Sequence, residues 1–190
     1  FDDALAPLLS RSLVRTEIGE QALEMHRLVQ LSMRTWLAAK KGRGRWVKES
    51  VRALCAAFPS GDYKTWEECK VLLPHVKEIV SLNTDDEEDL VNQAKSALRA
   101  GWYLLLRGEY RAAEGFFRMS TDTREKMLGR EHPDTLTSVY HLAFLFHQQQ
   151  HYPAACALYQ RACDGCVKVL GTQHPITLAC LDHYKSARKH

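Results

Sequence analysis

One nine-residue string occurs twice in this chain, and the doubling limits the fold more than any other feature. Leu128-Gly129-Arg130-Glu131-His132-Pro133-Asp134-Thr135-Leu136 returns as Leu170-Gly171-Thr172-Gln173-His174-Pro175-Ile176-Thr177-Leu178, forty-two positions later. Laying residues 98–136 over 140–178 gives eleven identities, among them Tyr110/Tyr152, Ala112/Ala154, Ala113/Ala155, Asp122/Asp164 and Lys126/Lys168, so the repetition extends well beyond the string. A period of this length marks a stack of supersecondary units that bury their apolar faces against one another. Within the string, Gly after an apolar run suits a helix C-terminus, and Pro suits the first turn of the next helix. Each copy therefore reads as a helix–helix corner. The His is expected to cap or buttress the corner, and the Thr one turn in to reach a backbone carbonyl with its hydroxyl.

The surrounding periodicity gives the order of elements. Residues 90–106 and 110–128 read as one helical hairpin, 135–149 and 152–170 as the next. A last helix from 176 to about 188 has the polar end of a capping element. Small residues at Gly101/Ala143 and Ala113/Ala155 let paired helices approach closely, while Tyr110/Tyr152 and Phe117/Tyr159 fill the space between units. Upstream, 46–58 and 63–82 read as two more helices, the second kinked or split by Pro74. Gly61-Asp62-Tyr63-Lys64 mirrors Gly108-Glu109-Tyr110-Arg111 as a degenerate copy. The acidic run Asn83–Asp89 is read as a helix start, because negative charge there complements the macrodipole, whereas calcium loops space their ligands about a glycine. Lys40–Arg45 carries two Gly and is read as a solvated linker in preference to a nucleic-acid or lipid contact.

Nearest the start, 3–10 reads as a short helix. Ser12–Arg15 and Ala22–His26 read as strands of a hairpin around Glu17–Glu20. Residues 27–40 follow as a helix with Leu28, Val29, Leu31, Met33, Trp36 and Leu37 on its apolar face. Helix, hairpin and helix in that order form the second half of a winged-helix unit. The expected architecture is an all-α superhelix preceded by a partial winged helix with a short β-hairpin. Its segments are 1–45 (winged-helix end), 46–82 (helical connector) and 83–190 (repeats with a final capping helix).

Composition excludes several classes of function. With 45% apolar residues among 190, the chain can bury a full core. A net charge of +3 is too small to argue for nucleic acid. Six Cys without framework spacing indicate reduced thiols in a cytoplasmic protein. No apolar run approaches the roughly 20 residues of a membrane span. The opening Phe1, where a Met would start a complete protein, points to a segment of something longer. The string Gly-x-x-x-x-Gly-Lys-Ser/Thr is missing from the sequence, so it does not cradle a triphosphate by itself and is not expected to be an enzyme.

The forty-two-residue unit with Leu-Gly-x-x-His-Pro-x-Thr-Leu resembles the kinesin-light-chain type of tetratricopeptide repeat over residues 90–188. Glu24-Met25-His26-Arg27-Leu28-Val29-Gln30 resembles the Met-His-Asp-type motif of NB-ARC nucleotide switches, with Arg27 where those proteins carry Asp. Together with Trp36-Leu37 and Leu72-Leu73-Pro74-His75, it is similar to large fungal signalling ATPases that join NB-ARC to tetratricopeptide repeats. The resemblance implies that His26 contacts the phosphate of ADP in the full-length parent, with no cofactor held by this segment alone. It also implies contact between the repeats and an upstream nucleotide-binding module, and oligomerisation when that contact is released. A stand-alone scaffold or cargo adaptor of the kinesin-light-chain type is the alternative.

In such a stack the first helix of each unit lines the concave face. The candidates for a protein- or peptide-binding groove are Lys95, Arg99 and Trp102, then Tyr140, His141, Phe144 and His147, then His183 and Lys189. Aromatics interleaved with cations suit an extended or acidic peptide. For Trp102 and Phe144, packing against a neighbouring unit is the competing reading. Cys163-x-x-Cys166 would make a metalloprotein or hydrolase only with further ligands, and the sister unit fills those places with Thr121 and Arg124, so packing is preferred.

Overall fold

The computed structural model describes residues 10–11, 13–16, 23–39 and 43–189, and the chain divides into two compact units, 1–46 and 47–190. The expected helix at 3–10, apart from Ser10, and the loop at Glu17–Glu20 lie outside the described residues. In the first unit β1 (Val14–Thr16) pairs antiparallel with β2 (Leu23–Met25), in the register Val14↔Met25, Arg15↔Glu24, Thr16↔Leu23. Helix α1 (Arg27–Ala39) follows at once. His26 starts it, with its Nδ1 accepting from the Leu28 N–H at 3.2 Å. Leu28, Leu31, Met33 and Trp36 of the apolar face are exposed. A two-stranded hairpin is too small a platform to cover them.

The linker expectation at Lys40–Arg45 is overturned at its end, because α2 (Arg43–Ala57) already includes Gly44 and Arg45. One helical Gly costs only about 1 kcal/mol, and burial of Val51 and Leu54 further along offsets it. A 3₁₀ turn (Tyr63–Thr65) then leads into α3 (Trp66–Ser81), which runs through Pro74 as one helix. Of the two expected outcomes, kink or split, the split does not occur. Pro74 and Lys70, whose carbonyl loses its intrahelical partner, are both exposed, while Cys69, Val76 and Ile79 are buried on the other side.

Helix α4 (Glu87–Leu106) starts in the acidic run, with Asp86 as N-cap accepting from the Asp89 N–H at 3.1 Å. Two of these carboxylates face cations of α2. Lys48 Nζ is 2.7 Å from Asp86 and Arg52 Nη2 is 2.5 Å from Glu88. The Lys48 ammonium, then the Asp89 N–H, hold the Asp86 carboxyl below its ordinary range. The run is a helix start and a docking strip. Among the described residues no three His, Cys, Asp or Glu are grouped to hold a metal.

Together with α4, the helices α5 (Tyr110–Leu128), α6 (Pro133–Gln148), α7 (Tyr152–Leu170) and α8 (Pro175–Ala187) make two full hairpins and a single helix. Helix α4 packs along α5, and α6 along α7. Helix α5 also meets α6, α7 meets α8, and the first helices α4, α6 and α8 touch in series. Both corner strings fold alike. Gly129 and Gly171 close their helices at φ 93° and 85°, a region that L side chains avoid. His132 and His174 cap the next helices, their Nδ1 atoms accepting from Asp134 N at 3.1 Å and Ile176 N at 3.3 Å.

The expectation for the corner Thr fails. Oγ1 of Thr135 and of Thr177 is buried without a hydrogen-bond partner. Each lies three residues past the cap, so the carbonyl four residues back stands ahead of the helix. Thr137 makes the bond instead, to Pro133 O at 2.9 Å. Beneath the first corner Arg124 is buried and donates from Nη1 to Asp134 O at 2.8 Å and to Ser138 Oγ at 3.0 Å. Ser138 Oγ also lies 3.1 Å from Ser120 Oγ. Forty-two positions on, Cys166, Cys180 and Ala162 replace Arg124, Ser138 and Ser120, so the second corner has thiols where the first has a polar knot.

Candidate interaction face

Helix α6 presents Tyr140, His141, Phe144 and His147 at i, i+1, i+4 and i+7, which places them along one side. Counting forty-two residues either way, Trp102 is the counterpart of Phe144, while Arg99 and His183 are both counterparts of His141. The structure brings the rings together across three helices. Trp102 of α4 lies 5.4 Å from His141, at right angles, and 5.9 Å from Phe144. His183 of α8 lies 5.1 Å from Phe144 and 5.8 Å from Tyr140, nearly parallel to the latter. A 2.8 Å hydrogen bond joins Tyr140 Oη to His183 Nδ1. His147 extends the track to Tyr152 at 5.7 Å and to buried Tyr159 at 6.1 Å. All six candidate rings are half-buried, so they both join the units and form a floor.

The cations do not join them. Arg99 Nη1 donates to Cys55 O at 3.0 Å and Phe58 O at 2.9 Å. The last carbonyls of a helix need partners, and the Arg99 guanidinium serves the end of α2. Lys95 is exposed one turn earlier on α4, and Lys189 is exposed beyond α8. The three equivalent positions thus do three jobs. Arg99 caps a helix, His141 bonds within its own helix, and His183 bonds across helices.

His141 Nδ1 lies 2.7 Å from Thr137 O, so it carries the proton and donates. Burial pushes its pKa below 6.5; the bond to Thr137 opposes this and the Arg124 charge adds to it. A histidine with a depressed folded pKa leaves the unfolded chain binding more protons just below its ordinary value. Stability should therefore fall as pH drops below about 6.5. Thermal melts from about pH 7.5 to 5.5 should show that decline, and His141→Leu should flatten it. An unchanged slope in the variant would place the proton uptake elsewhere. Burial also pushes Tyr140 up to about 12, so it stays a neutral hydroxyl. The centre of the track holds no charge and is suited to stacking and hydrocarbon contact.

His26, in the first unit, is exposed at the start of α1. Because its Nδ1 accepts from Leu28 N, the neutral ring carries its proton on Nε2. Cys163 and Cys166 are buried in α7, and Cys180 of α8 brings its Sγ within 2.8 Å of that of Cys163. Spacing along the chain missed Cys180. Superposing the units would have found it, since Cys180 takes the place of Ser138 and Cys163 that of Thr121. Gly165 was also missed; a Cβ there would stand 2.5 Å from Leu136 Cδ2.

Stacked two-helix units whose first helices share a ring-lined face define a helical repeat array. Residues 94–134 and 135–176 each match the tetratricopeptide repeat family, of the kinesin-light-chain-like kind. Over 143 residues the chain is 29% identical to a nucleotide-binding leucine-rich repeat (NLR)-like protein of Hyaloscypha variabilis, an overlap of 73% of this chain. The chain spans only 14% of the length of that relative. Among the described residues no helix is long and apolar enough to cross a membrane.

Proposed function

We propose that this chain is the protein-interaction and regulatory region of a larger NB-ARC-type nucleotide-switch protein, without catalysis of its own. The half-buried aromatic track across α4, α6 and α8 carries the reading, supported by the similarity to an NLR-like protein. In the resting state the track engages the upstream nucleotide module through apolar and aromatic side chains, which supply most of the energy of such contacts. Loss of that engagement frees the module to exchange nucleotide and the protein to oligomerise. ADP or ATP belongs to the module. His26 can meet a phosphate, because the cap bond at Nδ1 leaves its exposed Nε2–H as a donor.

Calorimetric titration of ADP or ATP into this chain should show no binding in the micromolar range. Micromolar affinity would give the segment a nucleotide site of its own and sink the proposal. In the longer protein, His26→Ala should speed ADP release by about tenfold, the loss expected for one hydrogen bond to a charged group.

A further inference from the structure

The two repeat units differ most at their buried corners. In the first, Thr121 Oγ1 donates to Phe117 O at 2.8 Å and Ser138 Oγ is held by Arg124 at 3.0 Å. Cys163 and Cys180 occupy the same two places in the second unit, and there the side chains meet each other. Their Sγ atoms are 2.8 Å apart, closer than a packing contact requires. Cys163 is 3% exposed and Cys180 fully buried. The pair links α7 to α8 across 17 positions of sequence.

We propose that Cys163 and Cys180 form a site of reversible oxidation, in which a small hydroperoxide converts the two thiols to a disulfide that staples α8 to α7. The Cys163 thiolate attacks one oxygen of the peroxide and the O–O bond breaks. The departing hydroxide takes the proton that Cys163 released, and Cys163 is left as a sulfenic acid. Cys180 then attacks the Cys163 sulfur, the S–S bond forms, and the S–O bond breaks. The hydroxyl leaves with the Cys180 proton as water. Two electrons pass from the thiols to the peroxide, and a dithiol reductant reverses the change.

Two observations favour this order. Cys163 is the sulfur with some exposure, 3% against none for Cys180, and its contact with Cys180 holds the Cys163 thiol below its ordinary range while that contact and burial raise Cys180, so Cys163 is the nucleophile. Helix α8 packs on α7 and less extensively on α6, and local opening of the α7–α8 seam admits a small oxidant that buried sulfurs otherwise exclude. Cys166, raised by burial, stays a thiol. Helix α8 also carries His183, so the staple fixes one wall of the aromatic track.

The chain is treated with hydrogen peroxide, alkylated, and read by mass spectrometry and thermal melting. The expected result is a loss of two hydrogen atoms per chain and a cross-linked peptide joining Cys163 to Cys180. The thermal midpoint should rise by about 6–12 °C, and dithiothreitol should reverse all three changes. Cys180→Ala should leave a sulfenic acid at Cys163 that dimedone traps. Cys163→Ser, nearly equal in volume, should abolish both the cross-link and the rise in midpoint. Thiols that stay fully alkylatable after peroxide, or a cross-link between another pair, would overturn the proposal.

Discussion

Gly101→Val should lower the stability of the 47–190 unit by about 3 kcal/mol and its thermal midpoint by about 6–12 °C. A Cβ at this position would stand 2.7 Å from Phe117 Cε1 and 2.8 Å from its Cδ1. The ring is fully buried between α4 and α5, in a core whose packing leaves it nowhere to swing. Overpacking of such an interior costs about 1–3 kcal/mol, and the branched γ carbons of valine bring it to the upper end. Replacing a helical glycine gives back at most about 1 kcal/mol, so the clash decides the sign. Chemical denaturation measures the loss. Pairing the change with Phe117→Leu should recover part of it, because the two residues share one space and their effects do not add. A variant as stable as the parent chain would mean that α4 and α5 do not meet this closely.

Gly61→Ala should cost about 2–4 kcal/mol by a different route. Gly61 holds φ 92°, and a Cβ there would lie 3.2 Å from Tyr103 N and 3.3 Å from Arg99 O. Both are backbone atoms of α4 and cannot yield. The Gly61 carbonyl also accepts from Trp66 Nε1 at 3.2 Å, and Arg99 reaches the end of α2 just beside it. This loop is the seat on which α2 and α3 dock against the array. In a stack where each element leans on its neighbours, damage at a seat is felt locally first. Hydrogen exchange should therefore quicken in α2 and α3 while α6 and α7 keep their protection. Equal acceleration throughout would show one cooperative block.

What the sequence discloses here follows the reach of its determinants. The ends of α5 and α7 fall at the expected residues, 110–128 and 152–170, because Gly at the close and His-Pro at the next start act within one turn. The His caps were legible for the same reason. The Thr135 and Thr177 hydroxyls were not, since their fate depends on where one carbonyl stands at the helix mouth. The partners of the Arg99 guanidinium were not legible either, since Cys55 and Phe58 lie more than forty positions away. Trp102, Tyr140, His141, Phe144, His147 and His183 could be placed on one side by periodicity. That they touch one another across helices depends on the stacking distance, which periodicity does not specify.

The central claim is that the aromatic track on the first helices is the surface through which the chain works. Hydrogen exchange on the longer protein, loaded with ADP and then with ATP, tests it most directly. The account predicts that segments 95–102, 137–147 and 176–183 lose protection on going to ATP, while α5 and α7 do not change. No change in those three segments, or change confined to α5 and α7, would contradict it.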